Sequence, residues 1–151
     1  MYDNILLCLD GSNLAEQILP HVTDLASRFG SRVVLMEVVA DVPITVAPGD
    51  PQVVVAQFGR IPRAKHEAES YLKSVAELLR GKGLKVECVV LEGPVGETIS
   101  QYAEKSGMDL IAIATHGRSG LGRAVFGSVA DYVLRHSRLP VLSIRPRDIE
   151  K

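Results

Sequence analysis

A chain of 151 residues with 46% apolar and 23% charged side chains has the balance of one folded domain with its own core, which excludes a disordered chain. Its formal net charge of −1 excludes the basic excess of a general nucleic-acid binder, and no apolar run approaches the roughly 20 residues of a membrane span. The opening "MYDNILLCLDGS" enters an apolar run with neither a basic leader nor a cleavage site, so the chain is expected to be cytoplasmic.

Five β-type runs alternate with helical patterns. The first, Asn4–Leu9 (NILLCL), ends in Asp10-Gly11-Ser12. Leu14, Ile18, Val22, Leu25 and Phe29 then mark one helix face, with Asn13 as the expected cap, Glu16 at the third helical position and Gly30 as the stop. Pro20 falls inside that pattern and is expected to kink the helix. The second run is Arg32–Val39 (RVVLMEVV). Ala40–Pro62 follows, with four prolines and two glycines in twenty-three residues, and reads as a long irregular loop. A lid over a ligand and a surface excursion both fit it.

Ala68, Leu72, Val75 and Leu79 make the next stripe, closed by a turn at Gly81–Gly83. The third run, Lys85–Leu91 (KVECVVL), leads to a helix over about Val95–Ser106 with Ile99, Tyr102 and Ala103 inward. The fourth run, Asp109–Ala114 (DLIAIA), opens into a glycine-rich stretch. A last helix follows Gly127 with Ala130, Val133 and Leu134 as its apolar side, before the fifth run, Pro140–Ile144 (PVLSI).

Three runs are almost continuously apolar, as strands covered on both faces should be. Strand–helix alternation with short connections implies βαβ units, right-handed crossovers and a parallel sheet. The expectation is one α/β domain over residues 1–147 with a short tail, 148–151. Cys8 and Cys88 both lie inside apolar runs and are expected to be buried, reduced thiols.

Chemistry concentrates at two strand ends. Asp10 leaves the first strand beside Gly11, where it either accepts hydrogen bonds from a ribose or faces a helix N-terminus. The fourth strand runs into "ATHGRSGLGRAVFGSV", Ala114–Val129, with four glycines, two arginines, three hydroxyls and a histidine. A dinucleotide fingerprint is missing from the position after the strand. Gly122–Val129 has P-loop glycine spacing, but Ser128 and Val129 replace the lysine and the metal-binding hydroxyl. Strong P-loop hydrolysis is therefore not expected. Gly127 permits close backbone approach, and Ser128 starts a helix whose N-terminal amides suit anions. Ser128 followed by Asp131 also fits a plain helix cap.

Joined to "ILLCLDGS", the stretch "ATHGRSGLGRAVFGSVADYVLRHSRLPVLSIRP" resembles the universal stress protein family along essentially the whole chain. ATP-binding members share G-x2-G-x9-G-[ST], which maps here onto Ala114, Gly117, Gly127 and Ser128; the departure is Ala114, where the pattern has glycine. The resemblance implies a Rossmann-like domain, of the adenine nucleotide alpha hydrolase type, with sheet order 3-2-1-4-5. It implies that Asp10 holds ribose and that Val38 offers its backbone to adenine. Ala114 and Gly117 then line ribose and phosphates, and Gly127, Ser128 and Val129 bind phosphates through backbone N–H groups. From the residues themselves, Arg118 and Arg123 either supply charge to a triphosphate or serve solubility.

The implied ligand is ATP, with or without Mg²⁺, or another adenine nucleotide such as a cyclic one. The implied assembly is a homodimer through the edge strand Val141–Ile144, serving stress adaptation through unidentified client proteins. It is not expected to be an enzyme beyond slow ATP hydrolysis. The rival is a dimeric scaffold with a vestigial site. Nothing in the spacing of His21, His66 and His136 suggests a zinc site, and His116 either touches a phosphate or is a structural turn residue.

Overall fold

The computed structural model describes residues 1–40, 60–115 and 127–147. Strands β1 (Asn4–Cys8), β2 (Arg32–Val39), β3 (Lys85–Glu92), β4 (Leu110–Ala114) and β5 (Val141–Ile144) form a parallel sheet in the order β3-β2-β1-β4-β5. The helices are α1 (Asn13–Glu16), α2 (Leu19–Phe29), α3 (Arg60–Gly81), α4 (Val95–Lys105) and α5 (Ser128–His136). This is the α/β order that the family resemblance implied.

The three most apolar runs became the three central strands, for a simple reason. β1, β2 and β4 have helices on both faces and are buried along most of their length, whereas the edge strands β3 and β5 keep partial exposure. On one face, Ile5, Leu7, Val33 and Leu35 pack with Ile18 and Val22 of the first helical region and Leu72 and Leu79 of α3. On the other, Leu6, Val34, Met36 and Ile111 pack with Ile99 and Ala103 of α4 and Ala130 and Val133 of α5. The chain therefore leaves β1 and β2 to one face, and β3 and β4 to the other. Their crossovers diverge between the carboxyl ends of β1 and β4, which is where open parallel sheets bind ligands.

Local details depart from the sequence expectations. The first helix is two pieces. Ser12, rather than Asn13, caps α1, its hydroxyl accepting from the Ala15 N–H at 3.1 Å. Pro20 does not kink a continuous helix; it sits in the first turn of α2, where no intrahelical partner for its missing N–H is needed. The expected irregular stretch Ala40–Pro62 is shorter, because α3 already begins at Arg60; residues 41–59 lie outside the described residues. The tail 148–151 lies outside them as well.

Three expected inward residues are less buried than their spacing suggested. Leu134 and Phe29 are 44% and 45% exposed, and Tyr102 is half-buried. Phe29 instead meets Tyr2 edge-on, at a centroid distance of 5.5 Å. Helices α4 and α5 meet closely at Gly96, where a Cβ would stand 2.7 Å from the Tyr132 ring. That contact seats α5 against α4 and fixes the direction of its N-terminus.

Cys8 is buried as expected, but Cys88 is exposed because β3 is an edge strand and its outer residues lack a covering layer. Burial lifts the Cys8 thiol from its ordinary 9.0 to about 12. Aromatic disulfide reagent at neutral pH should therefore titrate one thiol in the native chain and two in denaturant. The same shift sets a sign for stability. The folded chain keeps the Cys8 proton that the unfolded chain loses above pH 9.0, so stability is full below that pH and falls as pH rises toward about 12. A denaturant midpoint that held steady between pH 8 and 11 in a Cys8-containing protein would contradict this.

Candidate functional site

Asp10 stands two residues beyond β1, after pairing with β2 has been extended by the Leu9 N–H donating to the Met36 carbonyl at 2.9 Å. Gly11 then turns the chain with φ of 80°, a left-handed conformation that favours glycine. Oδ1 of Asp10 accepts from the Ser12 N–H at 2.9 Å and from the Ser12 hydroxyl at 2.5 Å. Ser12 in turn caps α1. The carboxylate is thus held by its own turn, half-buried at the mouth of the sheet, and a carboxylate has about four acceptor positions.

Across the crevice, β4 ends at Ala114, and the buried Thr115 ties three pieces together. Its N–H donates to the Ile144 carbonyl of β5 at 2.9 Å, and its carbonyl accepts from the Gly127 N–H at 2.6 Å. Gly127 is the N-cap of α5, so Ser128 is the first helical residue and not the cap. The reason is backbone direction: Gly127 has the extended conformation of a cap, φ −49° and ψ 141°, while the helical ladder opens with the Asp131 N–H donating to the Gly127 carbonyl at 2.9 Å. The Gly127 N–H is used by Thr115. The amides of Ser128, Val129 and Ala130 precede the ladder and form the electropositive end of α5.

Two cavities meet at Asp10. One, of about 120 Å³, is lined by Asp10, Ala15, Ala114, Thr115, Gly127, Ser128 and Val129, with Cys8, Val95 and Ile99 beneath. The other, of about 320 Å³, is lined by Asp10, Gly11, Glu37, Val38, Val39, Ala64, Glu67, Ala68 and Tyr71. The larger cavity of about 540 Å³ between Tyr2, His21, Asp24 and Leu142 opens elsewhere, beside the starts of β4 and β5. The structure thus brings Asp10, Ala114, Gly127, Ser128 and Val129 to one cavity and Val38 to the adjoining one. Gly117 and Arg118 lie outside the described residues, as does His116.

Sequence reasoning missed Glu37 and Tyr71. The Tyr71 hydroxyl donates to Glu16 Oε1 at 2.9 Å. Burial first, then this bond and the negative charges of Glu16, Glu37 and Asp10, push the hydroxyl well above its ordinary range. The available signal was Glu37 itself, a lone acid inside the apolar run RVVLMEVV. Tyr71 gave none, since it stands one residue off the inward stripe of α3. Among the described residues, no group of acids, histidines or cysteines is arranged to hold a metal ion, and no helix is long and apolar enough to cross a membrane.

A crevice of this kind, at the point where strand order reverses, coincides with a family match. The universal stress protein family model covers residues 1–145. The chain belongs to the universal stress protein family. Universal stress protein MJ0531 of Methanocaldococcus jannaschii is 30% identical over 146 residues, spanning 96% of this chain and 83% of that protein. The solved structure of MJ0577 from the same organism superposes with a TM-score of 0.86 at 28% identity, covering 98% of this chain and 99% of that one. A universal stress protein from Archaeoglobus fulgidus, solved in complex with dAMP, superposes with a TM-score of 0.65 at 20% identity over 95% of this chain and 98% of that one. In this universal stress protein the family loop G-x2-G-x9-G-[ST] begins with Ala114. Ala114 lines the smaller cavity and packs against the core that holds Leu9 and Ala15.

Proposed function

We propose that this universal stress protein binds ATP, or a related adenine nucleotide, across the two cavities and acts as a dimeric, nucleotide-responsive regulator in stress adaptation. The observation that carries the reading is the meeting of Asp10 with the N-terminus of α5 at one cavity. Phosphates sit against the amides of Ser128 and Val129, where the helix end is electropositive. Gly127 contributes by lacking a side chain rather than by its own N–H. Asp10 accepts from the ribose hydroxyls, and the base enters the cavity walled by Val38 and Ala68. The dAMP complex of a fold relative supports an adenine nucleotide as the ligand class.

Pairing of β5 with its twin in a second copy completes the edge that Val141–Ile144 leaves exposed. Turnover is at most slow, since Ser128 stands where a P-loop has its lysine. The protein works in the cytoplasm, with Mg²⁺ accompanying the triphosphate from solution.

Calorimetric titration of nucleotide-stripped protein with ATP tests this, with dimer mass measured alongside. Saturable micromolar binding is the expected result. No heat at millimolar ATP at several temperatures would overturn it and favour a scaffold with a vestigial site.

A further inference from the structure

Helix α1 is a single turn, too short to hold its place by its own ladder, so ties to other elements set its position. The first tie is local: Ser12 caps the helix and is itself held by Asp10. The second is at Glu16, which accepts from the hydroxyl of Tyr71 on α3, a wall residue of the larger, acid-lined cavity. The third joins residues 130 apart in the chain. Gln17 Nε2 donates to the Arg147 carbonyl at 2.8 Å, and Gln17 Oε1 accepts from the Arg147 N–H at 3.0 Å. One side-chain amide thus satisfies both backbone groups of a residue, as a neighbouring strand would. Pro146, beside it, is buried.

The segment that Gln17 grips follows directly from Ile144, the last residue of β5. The Ile144 carbonyl accepts from the Thr115 N–H, and the Thr115 carbonyl accepts from Gly127, the N-cap of α5. The end of β5 is therefore bonded toward both walls of the smaller cavity. Through Gln17 it holds α1, which supplies Ala15 and is joined to Asp10; through Thr115 it holds the start of α5. We infer that Gln17 is a positioning residue for the nucleotide, its clasp on the Arg147 backbone fixing the span between the ribose acceptor Asp10 and the phosphate seat at α5. This rests on the nucleotide reading above and adds to it a residue on the wall of neither cavity. A ligand that bridges the two walls needs the span, because hydrogen bonds weaken steeply with misalignment. A ligand that reaches only Asp10 and the larger cavity does not, since Glu16 and Tyr71 still fasten α1 to α3 on that side.

The test is calorimetry on the full chain with ATP and with adenosine, in wild type, Gln17→Ala, Arg147→Ala and Arg147→Pro. Gln17→Ala is expected to weaken ATP roughly three- to tenfold, the scale of one or two neutral hydrogen bonds, and to leave adenosine within about twofold. A general loosening of the fold would weaken both ligands alike. Arg147→Ala keeps both backbone groups and should bind ATP as wild type does. Arg147→Pro removes the N–H from which Gln17 accepts and should reproduce Gln17→Ala. The two changes combined should cost little more than either alone, as expected for partners in one interaction. Wild-type ATP affinity in Gln17→Ala overturns the inference alone, as does an equal loss of ATP and adenosine. Arg147→Ala as weak as Arg147→Pro also overturns it and assigns the effect to the arginine side chain. No ATP binding by wild type overturns the nucleotide reading, and this inference with it.

Discussion

Asp10→Ala is expected to weaken ATP binding by about 1.5–3 kcal/mol, a loss of roughly 10- to 150-fold, because a charge-assisted acceptor at the ribose is removed. The substitution also takes two hydrogen bonds from Ser12, which caps α1, so part of the loss is local order. Asp10→Asn separates the two effects. It keeps an acceptor for Ser12 and loses the charge, so its thermal midpoint should stay near wild type while its affinity for ATP falls. Unchanged affinity in a folded Asp10→Ala protein would remove Asp10 from the site. A melt lowered equally in both variants would show the carboxylate to be a structural element of the turn.

The largest stability effect is expected at Leu72→Ala, with a loss of about 2–5 kcal/mol from transfer and cavity terms together. Leu72 is fully buried and belongs to the core that also holds Leu7, Val33 and Leu35. It seats α3 on the sheet, and α3 carries Ala64, Glu67, Ala68 and Tyr71 on the wall of the acid-lined cavity. The denaturant midpoint should therefore drop with the slope of the transition unchanged. ATP affinity should weaken less than in Asp10→Ala, since α5 and β4 are anchored in the opposite core. A shift below about 1 kcal/mol would mean that α3 is held mainly by something other than this face.

The two experiments probe different halves of one design. Asp10 is fixed by a few local bonds in its own turn, whereas the acid-lined cavity exists only while α3 is packed on β2 and β3.

Much of the fold was legible in the chain. Three almost continuously apolar runs pointed to strands covered on both faces, and the structure buries β1, β2 and β4 in that way, because only burial on both sides tolerates such continuity. Glycine at the end of α2 and the spacing of Leu72, Val75 and Leu79 marked real helix features, since these depend on backbone and periodicity alone. Asp10 and Gly127 stood out through strand-end position and loop composition. The family resemblance, not the spacing, supplied the order that makes β1 and β4 neighbours.

What the tertiary structure alone decided involved contacts between distant segments. Cys88 is exposed because β3 is an edge, and strand order is a long-range property invisible in KVECVVL. Pro20 begins a helix instead of kinking one because α1 stops after a single turn, a break that the continuous apolar spacing concealed. The Gly127 N–H bonds Thr115, twelve residues earlier, which no local pattern announces. Glu37 and Tyr71 come from separate halves of the same face, and their shared acid-lined cavity arises only when α3 docks on the sheet. Local chemistry marks where a site can form; packing decides which side chains surround it, because charge and shape at a cavity are set by residues far apart in the chain.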